Sequence, residues 1–429
     1  MALQVLERVR TTDAYANLVL PAALRQAGLS PRDSGLATEL AFGTLRMKGS
    51  ADWVLSLHCD RPPERIDPPV LDALRLGVYQ LLWTSVPAHA AVSETVQALG
   101  GHRGRGYVNA VLRRVAAAAH ALPWPESDGD PVSYLQIRHS HPEWVVRMWL
   151  DEMGFSEAKA LCSAGNHFPG IGIRATASTA DLAAGLRQAG LQVEEGRWSS
   201  DFLGVSAGGS PTVWPGWDEG LFSVQDESSV LVVEALGLRA GMKTVDACAG
   251  PGGKTAHIAA SGAMVAALEP HPTRAALVRD ACSRMGVGAR VVVVRADATA
   301  PPVAPGVDRV LVDAPCSGLG VLRRRPEARW RVTPDDVARC ARLQSRLLNQ
   351  AVGLLGPGGA CVYSVCTVTA AETVDQIQSL MDSRPDLVIE PVHPEIPRPT
   401  WRQGPWLQLV PHVHGTDGMF IARIRRQEG

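Results

Sequence analysis

Val245-Asp-Ala-Cys-Ala-Gly-Pro-Gly-Gly-Lys-Thr255 constrains this chain more than any other stretch. It predicts a buried strand that ends in a glycine-rich turn and opens a helix at Ala256. Gly250, Gly252 and Gly253 let the backbone turn sharply and approach a ligand, because no Cβ stands in the way. The helix that follows directs unpaired N–H groups into the turn. A strand, a glycine turn and a helix in that order open an α/β sheet, and such sheets bind ligands beyond the carboxyl ends of their strands.

The rest of the carboxyl-terminal half fits that sheet. Strands are expected at 244–247, 264–268, 290–294, 309–312 and 360–363, alternating with helices. A late strand at 418–424 is expected to run antiparallel, at or near the edge. Ahead of it the pattern changes. From Ala2 to about Ala121 the chain reads as helical, with Leu36, Leu40, Phe42 and Leu45 as one apolar face. Pro68-Pro69 suits the first turn of a helix over 70–83. Further helices are expected after Pro87 and over 107–115. Pro123–Pro131 has the composition of a linker, and a helix is expected to start around His139–Arg147. Short strands near 171–177, 191–194 and 201–207, with a helix over 181–190, make a small α+β unit. The expected domains are therefore 1–125, helical; 138–220, small α+β of RRM or ferredoxin type; and 221–429, α/β. A chain of 429 residues exceeds one compact core, which agrees with this division.

Composition excludes several classes. The formal net charge of −1 gives no global basic field, so any nucleic-acid surface must be local. Glu7, Arg8 and Arg10 stand where a signal sequence needs an apolar core, and no apolar run is long enough to span a bilayer. Cys59, Cys162, Cys248, Cys282, Cys316, Cys340, Cys361 and Cys366 contain no CxxC pair. They match neither a zinc pattern nor a secreted disulfide framework, so no metal and a cytoplasmic protein with reduced thiols are expected. The default oligomeric state is monomer.

Each expected strand end carries a functional group. The first ends in Asp246 and the glycine turn. The second ends in Glu269, about twenty residues on, where an acid accepts ribose hydroxyls. The third ends near Asp297, placed to accept from an adenine amino group. The turn is neither G-x-G-x-x-G nor a P-loop. A glycine turn followed by two acids is the pattern of S-adenosylmethionine sites. The fourth strand leads into Asp313-Ala-Pro-Cys-Ser-Gly318 and the fifth into Tyr363-Ser-Val-Cys-Thr367. Cys316 and Cys366 thus lie just past neighbouring strand ends on the ligand face, whereas Cys282 and Cys361 read as packed, inert thiols.

These stretches resemble the Fmu/Sun family of RNA (cytosine-5) methyltransferases, in its bacterial 16S ribosomal RNA branch. Asp246–Thr255 is similar to the family's cofactor loop, Asp313–Gly318 to its motif IV and Tyr363–Thr367 to its motif VI. Asp417-Gly-Met-Phe420 is similar to its closing DGFF-type segment, with Met419 as a departure. Residues 77–83, 87–95 and 106–113 resemble the NusB-like helical domain of that branch, which implies RNA binding. The implied fold is an all-α NusB-like bundle, a small α+β domain and a Rossmann-like class I methyltransferase domain. The resemblance implies S-adenosylmethionine against Cys248, Ala249, Gly250, Pro251, Gly252, Gly253, Lys254, Glu269, Asp297 and Asp313. It implies Cys366 as the nucleophile toward cytosine carbon 6 and Cys316 as the thiol that helps resolve the adduct. Cytosine carbon 5 is too weak a nucleophile to attack a sulfonium methyl directly, and thiolate addition at carbon 6 activates it. Asp313 would hold the base edge and separate cytosine from uracil.

Two arginine-rich stretches are expected RNA contacts. One is Arg103 and Arg105 on a glycine-rich loop with Arg113 and Arg114; the other is Arg323, Arg324 and Arg325 with Arg329 and Arg331. The target base must be unstacked to reach the sheet edge, which implies a flexible RNA element. Transfer RNA as acceptor, and a noncatalytic RNA-binding or assembly factor, stay open as alternatives.

Overall fold

The computed structural model describes residues 1–12, 14–206 and 209–428. The described chain forms two compact units, Met1–Phe168 with Leu322–Arg331, and Pro169–Val321 with Val332–Gly429. Ala207, the last residue of one expected strand, lies outside the described residues.

The first unit is helical. Its longer helices are Ala2–Thr12, Ala16–Ala27, Pro31–Arg46, Lys48–His58, Pro68–Trp83, Ala88–Ala98, Arg105–Ala118, Pro131–Arg138 and Glu143–Ala164. Pro68 and Pro69 occupy the first turn of their helix, where a missing N–H costs nothing. Ser30 and Asp130 cap theirs with side-chain oxygens. Val54, Leu55, Leu74, Val78, Val108, Leu112 and Val115 are buried in one cluster. The expected apolar face of the third helix is only partly realised: Phe42 is buried, but Leu36 is exposed. At 3.6 residues per turn the two point about a third of a turn apart, so one stripe cannot bury both. The segment 322–331 completes this unit and contains the single turn Ala328–Arg331.

The second unit holds two sheets. The small sheet has the order β2-β3-β1-β4, with β1 Ile171–Ala175, β2 Val193–Glu195, β3 Phe202–Val205 and β4 Phe222–Val224. Its pairings are antiparallel. Ile173, Leu203 and Phe222 bury one face with Leu186 of the helix Thr179–Gln188. The stretch after Phe222 opens with β4 and then enters the helix Glu227–Glu234, capped by Asp226.

The large sheet has the order β10-β12-β9-β8-β5-β6-β7, with β11 pairing β12. Its strands are β5 Lys243–Asp246, β6 Met264–Leu268, β7 Val291–Val294, β8 Val307–Asp313, β9 Leu355–Val365, β10 Leu387–Glu390, β11 Leu407–Leu409 and β12 Met419–Arg426. The pairings from β7 through β9 are parallel, and β12 runs antiparallel to β9. Buried clusters lie on both faces, which explains why these strands read as apolar runs. The late antiparallel strand sits one place in from the edge, which β10 forms.

Candidate active site

β5, β8 and β9 are neighbours, so their carboxyl ends share one edge. The chain leaves β5 at Asp246 and turns through the glycines into the helix Gly253–Ala260. Gly252 has φ of 111°, and a Cβ there would come within 2.8 Å of the Val278 backbone. A Cβ on Gly250 would come within 2.3 Å of Glu269 Oε2, whereas one on Gly253 would meet nothing within 4 Å. The loop is thus pressed against its scaffold on one side and open on the other.

Asp246 is buried beneath the loop. Its carboxylate accepts from Thr255 Oγ1 at 2.6 Å and from the Cys248 amide at 3.4 Å. Burial pushes its pKa up to about 6, against the pull of the Thr255 hydrogen bond. Burial likewise pushes the Cys248 thiol up, so it does not ionise readily. Glu269, at the end of β6, is buried; it accepts from the His271 amide at 3.0 Å and lies 3.4 Å from Arg274 Nε. Arg274 also donates to the Gly250 carbonyl at 2.8 Å, linking this acid to the glycine loop. Asp297, past β7, is exposed; the Thr299 amide holds its carboxyl below the usual range. Arg274 was not among the residues expected at this site. Its position in the first turn after Glu269 is the signal available.

Asp313 ends β8 beside Ser364 of β9. Ser364 Oγ donates to its Oδ1 at 2.8 Å and Lys254 Nζ to its Oδ2 at 2.7 Å. Burial alone would lower the Lys254 ammonium, but the charge and hydrogen bond of Asp313, then the fields of Cys366 and Asp246, hold it up. Lys254 therefore makes a direct ion pair at the strand edge.

Cys316 follows β8 and Cys366 follows β9. Their sulfurs are 3.3 Å apart, and both residues are half-buried. The Cys316 thiol is pushed well up, first by its hydrogen bond to Cys366 and then by burial. Cys282 and Cys361 are buried away from this edge in the two sheet clusters. No disulfide joins any of the eight cysteines.

One further residue went unnoticed in the sequence. Glu372, fully buried, accepts hydrogen bonds from Ser317 and Thr367, the residues after the two cysteines. A lone acid among Thr367, Thr369 and Thr373 is the only sequence signal for it.

The arginine stretches separate. Arg103, Arg105, Arg113 and Arg114 are all exposed. The run after Cys316 does not form one exposed face as expected: Arg323 and Arg329 are buried, Arg324 and Arg331 half-buried and Arg325 exposed. Arg329 is taken up inside the helical unit, where backbone carbonyls need its donors. Among the described residues, no cluster of histidine, cysteine or acid has the makings of a metal site. None of the described helices is long and apolar enough to cross a membrane.

Comparison with known proteins supplies the context. The family described as 16S rRNA methyltransferase RsmB/F matches residues 233–425, and the NusB family matches residues 1–117. A Mycobacterium tuberculosis protein named as a candidate methyltransferase is 41% identical over 450 residues, covering 99% of this chain and 95% of its own. Ribosomal RNA small subunit methyltransferase B of Erwinia tasmaniensis is 32% identical over 438 residues, covering 100% and 98%. The solved structure of the protein PH0851 is alike in fold with a TM-score of 0.84, at 22% identity, over 99% of this chain and 97% of its own.

Proposed function

The chain belongs to the RsmB/F family of 16S rRNA methyltransferases, and we propose that it methylates carbon 5 of a cytosine in small-subunit ribosomal RNA through a covalent Cys366–carbon 6 bond. It is an RNA methyltransferase that uses S-adenosylmethionine. The finer reading rests on one observation above all: two thiols with their sulfurs 3.3 Å apart at the ends of adjacent parallel strands, beside the Lys254–Asp313 pair.

The glycine loop Cys248–Lys254 with Glu269 and Asp297 fits the cofactor. A Cβ on Gly253 would meet nothing within 4 Å, Glu269 lies against Gly250, and Asp297 is exposed at the next strand end. When bound, S-adenosylmethionine supplies an electrophilic methyl group. The protein's own groups do the rest. Cys366 adds as a thiolate to carbon 6, and the ring's C5–C6 electron pair becomes available at carbon 5 for the methyl group. The Asp313 carboxylate accepts from the exocyclic amino group that uracil lacks. The Lys254 ammonium offsets the negative charge pushed into the ring. After transfer the carbon 5 proton leaves, its electron pair restores the double bond, and Cys366 departs with the C6–S pair. Cys316, hydrogen-bonded to that sulfur, assists the departure. Arg103, Arg105 and Arg113 supply phosphate contacts on the helical unit, and action on ribosomal RNA makes the protein cytoplasmic.

Replacing the two thiols separately tests this. Cys366→Ala is expected to abolish both methylation and any covalent protein–RNA species on denaturing gels. Cys316→Ala is expected to retain addition and accumulate the covalent species. Unimpaired methylation by Cys366→Ala would sink the mechanism. Bisulfite sequencing of ribosomal and transfer RNA from a deletion strain identifies the acceptor; a lost 5-methylcytosine only in transfer RNA would move the target.

A further inference from the structure

Glu372 lies outside the glycine loop and the strand-end acids, yet it touches both cysteine segments. It is fully buried at the end of a short turn, Ala370–Glu372, that follows Cys366. Its Oε1 accepts from the Ser317 amide at 2.8 Å and from Gln344 Nε2 at 3.2 Å. Its Oε2 accepts from Ser317 Oγ at 2.5 Å, Thr369 Oγ1 at 2.8 Å and Thr367 Oγ1 at 3.3 Å. Every partner is an N–H or O–H donor, so the carboxylate acts as acceptor throughout. Ser317 Oγ and Thr367 Oγ1 are themselves 2.9 Å apart. Gln344, from the middle of the helix Pro334–Gly353, also donates to the Pro315 carbonyl at 2.8 Å, bracing the residue on the other side of Cys316. One buried acid therefore holds the residues next to both sulfurs.

The charges around the thiols are arranged in opposite senses. The Lys254 ammonium responds to Cys366. Glu372 acts on Cys316, together with Cys366 itself. Other titratable or charged groups near this cluster are Tyr363 on β9, Cys340 on the helix Pro334–Gly353, Cys248 on the cofactor loop and the buried Arg402, which donates to Thr373 Oγ1 and the Val368 carbonyl. Asp313 belongs to the Lys254 pair.

Resting on the covalent reading above, we propose that Glu372 is a positioning residue with two tasks. It sets the spacing of Cys316 and Cys366, and it keeps Cys316 as a thiol that hydrogen-bonds to the departing Cys366 sulfur. In the release step the C5–H pair forms the C5–C6 double bond and the proton passes to water. The C6–S bond breaks with its pair on Cys366, and the Cys316 S–H hydrogen-bonds to the sulfur so freed. Cys316 then serves as a donor to the leaving group and not as the base for the carbon 5 proton.

The test compares Glu372→Gln, Glu372→Asp and Ser317→Ala in the full-length enzyme. Removing the charge makes Cys316 easier to ionise, so activity that needs its thiol is lost at lower pH. Glu372→Gln is expected to move the alkaline limb of the kcat profile down by about one unit. It should also raise the steady-state covalent species roughly tenfold or more, with S-adenosylmethionine affinity within about twofold of wild type by calorimetry. Glu372→Asp should restore the limb. Ser317→Ala keeps the charge and loosens the spacing, so it should raise the covalent species without moving the limb. Iodoacetamide labelling of Cys316 against pH, in a Cys366→Ala background, reads the same ionisation without turnover. A wild-type limb and wild-type labelling curve in Glu372→Gln overturn the electrostatic role, and wild-type adduct levels in Ser317→Ala overturn the positioning role. Absence of any wild-type adduct would instead remove the covalent reading on which both rest.

Discussion

Two stretches of this chain look alike in sequence and differ in what they do. Gly101-His-Arg-Gly-Arg-Gly106, with Arg113 and Arg114 downstream, is an arginine-rich loop entering a helix. Arg323-Arg-Arg325 with Arg329 and Arg331 is an arginine-rich segment containing one helical turn. In the first, the arginines are exposed and Arg113 donates to Asn109 Oδ1 of its own helix. In the second, Arg329 is fully buried and donates to the carbonyls of Arg46, Ser140 and Gly165 and to Asn166 Oδ1. Burial, and then the neighbouring charge of Arg46, lower its pKa to about 9. Arg331 donates to the Val9 and Ala14 carbonyls, and Trp330 Nε1 to the Leu45 carbonyl. An arginine run is therefore a store of N–H donors. Whether those donors meet phosphates or helix ends depends on which acceptors the fold leaves unsatisfied.

Three variants probe that contrast. Arg329→Leu leaves its four acceptors buried without donors and should destabilise the helical unit by about 3–5 kcal/mol in urea unfolding. A loss under about 1 kcal/mol would mean that burial, and not donor supply, is what the segment contributes. Arg103→Ala, Arg105→Ala and Arg113→Ala combined should leave stability within about 0.5 kcal/mol per site. The triple variant should weaken RNA binding about tenfold and lower the slope of log K against log salt by about 2. An unchanged slope in filter binding would remove these residues from the phosphate contacts. Arg325 is exposed, with its guanidinium 5.0 Å from the Tyr15 ring centroid. Arg325→Ala should cost about 0.5–1 kcal/mol, the smallest effect of the three.

The parts legible in the sequence are those that local pattern dictates. The parallel strands are buried on both faces, so runs such as Val291–Val294 announce themselves. The glycine loop is legible because the turn and the close approach to Glu269 exclude side chains at Gly250 and Gly252. β10 and β11 escaped the reading. One is a four-residue strand just after Pro385, and the other is the three-residue Leu407–Leu409. Neither is long enough to show a period. The helices were readable but the buried face of the third was not, as exposed Leu36, a third of a turn from buried Phe42, shows. Glu372 went unread, and Arg329 was expected at RNA and not in the core, for one reason: each is defined by partners brought together only by folding. Residue type predicts what a side chain can bond to, and the fold decides what it meets.

The ten residues Leu322–Arg331 also bear on how such a protein can be taken apart. A fragment ending at Phe168 contains every long helix of its unit but lacks this segment. It leaves the acceptors of Arg329, Trp330 and Arg331 without donors, and it leaves open the place beside Gly49 that Trp330 fills. A single cut in the gene therefore cannot release the helical unit intact. Exchanging this unit for another would therefore mean exchanging residues 322–331 with it.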